Sequence, residues 1–285
     1  MPLSNVEGRS YGPQTIHLTE TLSRQFVAAT GDDESRWVDA APPSFAAALL
    51  FGIAPEFLAD PDVRPFTKVL VHSDQRFTWS GPLSHGSVWT VTATVTSVRS
   101  RGAMNFVTLN ADAVGDNGSL LSSTSVFLMG DEPGTGDIDE RTEPPILKHA
   151  QIESVSAVRL QEGSIIGPVA KSVDRLGLVK YAAVSGDFNP VHLDHDSAVA
   201  SGLAGVVVHG LLMSAWMLQT AVAGTSGDAP ARSARLRFKS PLFPAQQAVI
   251  TGSAKTTADG LAVSLTTSHD DVTLVTATVT IAPGG

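Results

Sequence analysis

The 285-residue sequence contains no cysteine. That absence excludes a disulfide framework, a zinc ribbon and a thiol nucleophile together, and with the last of these any acyl transfer through a thiol. Charge is scarce as well, at 16% of residues, and the balance is acidic: 19 Lys and Arg against 28 Asp and Glu give a formal net charge of −9. No basic run occurs. A nucleic-acid or anionic-membrane surface needs a clustered positive face, so neither partner is expected. The N-terminus, MPLSNVEGRS, lacks the basic-then-apolar pattern of a secretory signal, which makes the cytoplasm the expected address. A P-loop, a Rossmann glycine fingerprint and a G-x-S-x-G elbow are also missing.

What is present is a globular composition, 42% hydrophobic, long enough for one large domain or two ordinary ones. One stretch stands apart: residues 197–227, between Asp196 and Asp228, carry no formally charged side chain. Its many glycines, serines and alanines, its central His-Gly and its lack of basic flanks argue against a membrane span. A helix buried on all sides inside the protein is expected instead.

The chain repeats itself. FVAATGDDESRWVD, from Phe26 to Asp39, lines up with YAAVSGDFNPVHLD, from Tyr181 to Asp194, at an offset of 155. Further on, PPSFAAALLF around Ser44 resembles VVHGLLMSAW around His209, and RFTWSGPLSHG from Arg76 matches RFKSPLFPA from Arg237. Both copies end in valine-threonine alternation, VWTVTATVTSV and VTATVTIA, the pattern of half-buried antiparallel strands. GDEPGTGDIDERTEPP, between the copies, reads as a linker. The expected organisation is an N-terminal copy over 1–130, a linker over 131–150 and a second copy over 151–285. Each copy reads as a short helix ending at a Gly-Asp turn, a longer apolar helix, then about four strands. In the second copy Ser172 is the expected N-cap, Asp174 lies in the first turn, and the apolar helix runs from His209 to about Ala223. This order fits an α+β fold, an antiparallel sheet wrapped around one helix.

Reactive side chains are densest from Ser185 to Asp196, SGDFNPVHLDHD. Three readings stay open on these residues alone: a turn-rich loop, a metal site built from HLDHD, and an acid–base pair of Asp187 and His192. Pro190 keeps Asn189 out of helical conformation, so the two side chains can converge across the bend. His209-Gly210 supplies a partner for the third reading: it opens the apolar helix, where unpaired backbone N–H groups could hold a negative oxygen. His17, His72, His85, His149 and His269 are scattered and read as structural or exposed. Arg232, Arg235, Arg237 and Lys239 form a small basic group that could meet carrier phosphates.

YAAVSGDFNPVHLD, followed by GVVVHGLL and RFKSPLFP, closely resembles the MaoC-like (R)-specific enoyl-CoA hydratases and (3R)-hydroxyacyl-thioester dehydratases. The first copy looks like the degenerate N-terminal domain of actinobacterial members. The resemblance implies a double hotdog fold and reversible hydration of trans-2-enoyl thioesters, carried on coenzyme A or acyl carrier protein. It implies no metal and no redox cofactor, and it allows a homodimer. By the same resemblance Asp187 and His192 fall on the catalytic pair, Gly210 on the backbone N–H that binds the thioester oxygen, and Asn189 and His209 on supporting positions. Arg237 and Lys239 are candidates for the carrier's phosphates. In the first copy Asp32 is kept, but Trp37 stands for His192, Ser35 for Pro190, and Ser44-Phe45 for His209-Gly210. One active site per chain is therefore expected, with the first copy a scaffold that holds the acyl tail. Three other functions are carried beside this one: hydration of a branched dicarboxylic acyl-CoA of itaconyl or mesaconyl type, with Arg36 or Arg237 holding the distal carboxylate; a hotdog thioesterase; and a non-catalytic acyl-thioester binding module.

Overall fold

The structure is a computed structural model that describes residues 2–132 and 159–282. Residues 133–150 of the expected linker, and the boundary at 151, lie outside the described residues.

Two copies of one unit share a single ten-stranded antiparallel sheet. In the first unit β1 (Ser10–His17) precedes α1 (Glu20–Thr30), a broken apolar helix, α2 (Ala46–Phe51) and α3 (Ala54–Ala59), and the strands β3 (Val69–Trp79), β5 (Val88–Arg101), β6 (Met104–Gly115) and β7 (Leu120–Gly130). Two short strands, β2 (Ala40–Ala41) and β4 (Leu83–Ser84), pair separately. The second unit runs β8 (Ile165–Lys171), α4 (Arg175–Ser185), α5 (His195–Ala200), α6 (Gly210–Val222) and then β9 (Ala231–Phe238), β10 (Ala248–Thr257), β11 (Gly260–His269) and β12 (Val272–Ile281). The sheet order β1-β5-β6-β7-β3-β9-β12-β11-β10-β8 reads as the same five-strand order met head to head. The join is β3 against β9, with Gln75 opposite Leu236 and Arg76 opposite Arg235.

Each unit has five strands in this sheet rather than four, because one strand precedes the first helix. Its signal was a second pair at the same offset of 155: Gly12-Pro13 and Gly167-Pro168. Both glycines hold positive φ, at 89° and 85°, and both sit where the register with the neighbouring strand shifts. A Cβ on either would lie within 2.7 Å of a backbone carbonyl, so only glycine fits. The helices obey the same offset. Thr19 caps α1 through Leu22 N–H at 3.1 Å, and Asp174 caps α4 through Gly177 N–H at 2.7 Å. Asp174, not Ser172, is therefore the N-cap; its carboxylate takes up an N–H left free at the helix start. Gly31 and Gly186 end the two helices in the left-handed conformation. α1 and α4 pack against each other, with Phe26 and Tyr181, again 155 apart, at 6.1 Å.

In α6 every residue from Leu211 to Val222 is buried. The sheet and the first unit enclose it, which is why it needs no polar face. No helix among the described residues is long and apolar enough to cross a membrane.

The corresponding helix of the first unit is interrupted between Phe51 and Ala54. Pro55, near the start of α3, has no N–H to give Phe51 and its ring crowds that carbonyl. The interruption opens space beside Phe51, Ala54, Phe57 and Leu58.

Candidate active site

Four chain segments meet at one point. α4 ends at Gly186, whose φ of 80° turns the chain so that Asp187 points inward; the Asp187 side chain is nine-tenths buried. Asn189 then starts a single 3-10 turn, Pro190–His192, and accepts from Val191 N–H at 3.4 Å, while its own N–H donates to Asp187 Oδ1 at 3.3 Å. Pro190 breaks the chain direction as expected, and it brings His192 back towards Asp187. Val206–Val208 form no strand. They run as buried irregular chain tied to Val191 and Leu242 carbonyls, and they deliver His209-Gly210 to the start of α6.

His192 Nδ1 lies 2.9 Å from the Val207 carbonyl. A carbonyl only accepts, so Nδ1 carries the proton and the Nε2 lone pair faces Asp187 Oδ2 at 4.0 Å. That gap is too long for a direct hydrogen bond. A single water or hydroxyl oxygen can sit about 2.8 Å from both atoms. His209 is fully buried; its Nε2 donates to the Asp187 carbonyl at 3.1 Å and its ring stacks on His192 at 3.9 Å. Burial and the neighbouring His192 push its pKa down to about 2, so it is a neutral brace under both. Burial raises the Asp187 pKa, against the opposing pull of His192 and of the Asn189 N–H.

Gly210 is the first residue of α6, and its N–H has no hydrogen-bond partner among the described residues. A Cβ there would meet the Phe238 ring at 3.1 Å. The free N–H, the helix dipole behind it and the missing side chain leave room for an oxygen bearing negative charge.

Asp187, His192 and Gly210 border one cavity of about 210 Å³. It extends past Phe238 into the first unit, along Phe51, Phe57, Leu70, His72 and Phe127, and its rim includes Lys239. His72, grouped with the scattered histidines in the sequence, is thus part of the cavity wall. His149 lies outside the described residues.

The HLDHD reading fails on geometry. Asp194 caps α5 through Ser197 N–H at 2.8 Å, and the group that does converge is Asp187, His192 and His209, whose ligand-type atoms fall within 4.8 Å of one another. Two imidazoles bind one ion only if it lies in both ring planes. The rings of His192 and His209 are stacked and tilted by 27°, so their planes do not meet within bonding reach of both nitrogens. The cluster fits protons and not a metal.

Arg237 and Lys239 part company. Arg237 Nε pairs with Asp74 at 3.1 Å on the outer side of the sheet, while Lys239 stands at the cavity rim. Arg36 does not reach the cavity: it donates to the Val222 carbonyl and, at 2.7 Å, to Thr225 Oγ1, closing the end of α6.

The equivalent place in the first unit is filled. Asp32 accepts from the Trp37 indole N–H at 3.0 Å, Trp37 and Phe45 are buried, and the ammonium of buried Lys171 donates to the Gly31 carbonyl and to Gln219 Oε1. Among the described residues, the Phe45 N–H that stands for that of Gly210 is taken by the Pro42 carbonyl, and an indole stands in place of the imidazole.

Residues 164–275 match the family model described as MaoC like domain, and residues 5–122 match that described as FAS1-like, dehydratase domain region. A UPF0336 protein of Leifsonia xyli subsp. xyli is 35% identical over 141 residues, 44% of this chain and 94% of that protein. Among solved structures, a MaoC-like dehydratase superposes with a TM-score of 0.77 at 17% identity over 99% of both chains. A Mycobacterium tuberculosis protein described as a double hotdog superposes with a TM-score of 0.67 at 12% identity, over 97% of this chain and 96% of that one. With its paired helix-and-sheet units and a MaoC-like second half, the chain belongs to the MaoC-like dehydratase family and has the double hotdog fold.

Proposed function

We propose that the protein is a hydro-lyase that reversibly adds water across trans-2-enoyl thioesters to give (3R)-3-hydroxyacyl thioesters. The observation that carries this reading is the placement of Asp187 Oδ2 and His192 Nε2, 4.0 Å apart, beside the same cavity as the free N–H of Gly210. A thioester α-proton is weakly acidic. Its removal needs a positioned base and a donor for the charge that collects on the carbonyl oxygen, and loss of the β-hydroxyl needs an acid.

In hydration, one water lies between the two side chains. His192 Nε2 takes its proton as the oxygen bonds to C3, electron density moves to the thioester oxygen at Gly210 N–H, and protonated Asp187 delivers its proton to C2. Dehydration runs the same steps backwards. Burial keeps Asp187 protonated to higher pH than an exposed carboxyl, which suits that role, although two such close groups titrate as a pair. The acyl tail follows the cavity into the first unit, and Lys239 at the rim is placed for a phosphate of coenzyme A or of an acyl carrier protein. The proposed compartment is the cytoplasm, and the proposed assembly a homodimer.

The dicarboxylic reading would need a cation beside the tail, and Arg36 and Arg237 are both engaged elsewhere. To test the proposal, trans-2-enoyl-CoA of several chain lengths is mixed with the protein, and loss of the conjugated double bond is followed alongside free thiol. Hydration without thiol release is expected; thiol release without hydration would overturn the proposal in favour of a thioesterase.

A further inference from the structure

The two helices that lead into the Gly-Asp turns end differently. α1 closes in a Schellman motif: Asp32 N–H donates to the Val27 carbonyl at 3.0 Å and Gly31 N–H to the Ala28 carbonyl at 3.3 Å. α4, at the same offset of 155, closes in the simpler motif, with Gly186 N–H donating to the Ala182 carbonyl at 2.9 Å. The Asp187 N–H, counterpart of the one that ties Asp32 to its helix, is taken instead by Ser185 Oγ at 3.2 Å. Ser185 and Thr30 are a pair at this offset as well, and both are buried. Thr30 Oγ1 engages the Phe26 and Val27 carbonyls, at 2.9 and 3.1 Å. Ser185 Oγ gives its one proton to the Tyr181 carbonyl at 2.8 Å, which leaves its lone pairs for Asp187.

The change of cap redirects the chain at the glycine. Gly31 turns with φ 63° and ψ 40°, Gly186 with φ 80° and ψ 4°, so the aspartate that follows leaves its helix in a different direction in each unit. Asp187 is then held at three atoms: its N–H by Ser185, its carbonyl by His209 Nε2 at 3.1 Å, and Oδ1 by the Asn189 N–H at 3.3 Å. The remaining atom, Oδ2, faces His192. A misplacement of about 1 Å at a reacting group can cost on the order of 10²-fold in rate.

Resting on the proposed function, we propose that Ser185 is a positioning residue for the hydration: by drawing the Asp187 N–H away from the helix cap, its hydroxyl sets Oδ2 at the distance from His192 Nε2 that one water bridges.

The test sets Ser185→Ala beside Ser185→Thr and the first-unit counterpart Thr30→Ala. For each, kcat and KM are measured with a trans-2-enoyl-CoA, together with affinity for the saturated acyl-CoA of equal length and the thermal midpoint. Both alanine variants lose a buried hydroxyl bonded to helix carbonyls, so both should melt earlier. Only Ser185→Ala should lose turnover: kcat should fall about tenfold to 10²-fold, with KM and the saturated acyl-CoA affinity within about threefold of wild type. Ser185→Thr keeps the oxygen and should stay within about threefold of wild type in kcat. If the alanine variant does not fold, Ser185→Cys fills the same space with a weak acceptor and should show the same loss of kcat. Wild-type turnover in Ser185→Ala, or in Ser185→Cys where that variant stands in for it, would overturn the proposal alone. So would equal losses in the alanine and threonine variants, or in Ser185→Ala and Thr30→Ala. No hydration by the wild type would overturn the proposed function and this inference with it.

Discussion

At Asp187 stability and chemistry pull in opposite directions. Its pKa is raised in the folded state by burial, so the native protein holds this proton when the unfolded chain has released it. Its contribution to stability is complete below the ordinary carboxyl value of 3.8 and is lost as pH rises through the folded value. Asp187→Asn should therefore raise the thermal midpoint at pH 7, with the gain shrinking towards pH 4, while hydration falls by ~10²–10⁴-fold. Thermal melts at the two pH values, alongside turnover, check this. In the wild type the hydration rate should decline as pH rises through the folded Asp187 value, because the acid form delivers the proton to C2. Gly210→Ala should keep the fold and lose about 10²-fold in kcat, since the new methyl presses on Phe238 and displaces the donor; steady-state kinetics with an unchanged circular dichroism spectrum would show it. Asp187, His192 and His209-Gly210 were legible because their residue types and spacing are unusual. His72 was not, since one histidine in a strand carries no spacing signal, and the register shift between His72 and Asp74 breaks the alternation by which strand faces are read.

At the scale of elements, the difference between the two units lies in one helix. α6 is continuous and sealed, whereas α2 and α3 are parted before Pro55, and the gap adds to the cavity in which the proposed acyl tail would lie. Ala54 lines that room with a single methyl. Ala54→Leu should lower kcat/KM for long-chain enoyl thioesters about tenfold, a change of roughly 1.4 kcal/mol, and spare the four-carbon substrate; a chain-length series checks it. The sequence made α4 and α6 legible through their Gly-Asp stop and uncharged run. β1 and β8 escaped because a bulge at Gly12 or Gly167 interrupts alternation in a short strand. Their common Gly-Pro offset was the usable trace. The cap at Asp174 was misplaced by two residues for a plain reason: Ser172 and Asp174 are both good capping types, and only the backbone decides between them.

Taken as a whole, the molecule holds the converged Asp187, His192 and His209 in its second unit and a filled counterpart in its first. Asp32 is held by the Trp37 indole, with Phe45 where Gly210 stands in the other unit. Asp32→Asn should leave turnover within about twofold of wild type, against the large loss for Asp187→Asn; comparable losses in a side-by-side assay would mean two working sites. His72 and His209, depressed to about 4 and about 2, resist protonation when folded. The unfolded chain takes up those protons as pH falls below 6.5, so denaturant stability should decline from there downwards. In the proposed function Asp187 and His192 together add water to an enoyl thioester. Its most direct test is hydration of trans-2-enoyl-CoA in deuterated water by the wild type, Asp187→Asn and His192→Gln, with the product's configuration and label determined. The wild type should give the (3R)-hydroxyacyl thioester with one deuterium at C2, and each variant should lose ~10²–10⁴-fold in rate. A (3S) product, or undiminished hydration in both variants, would contradict it.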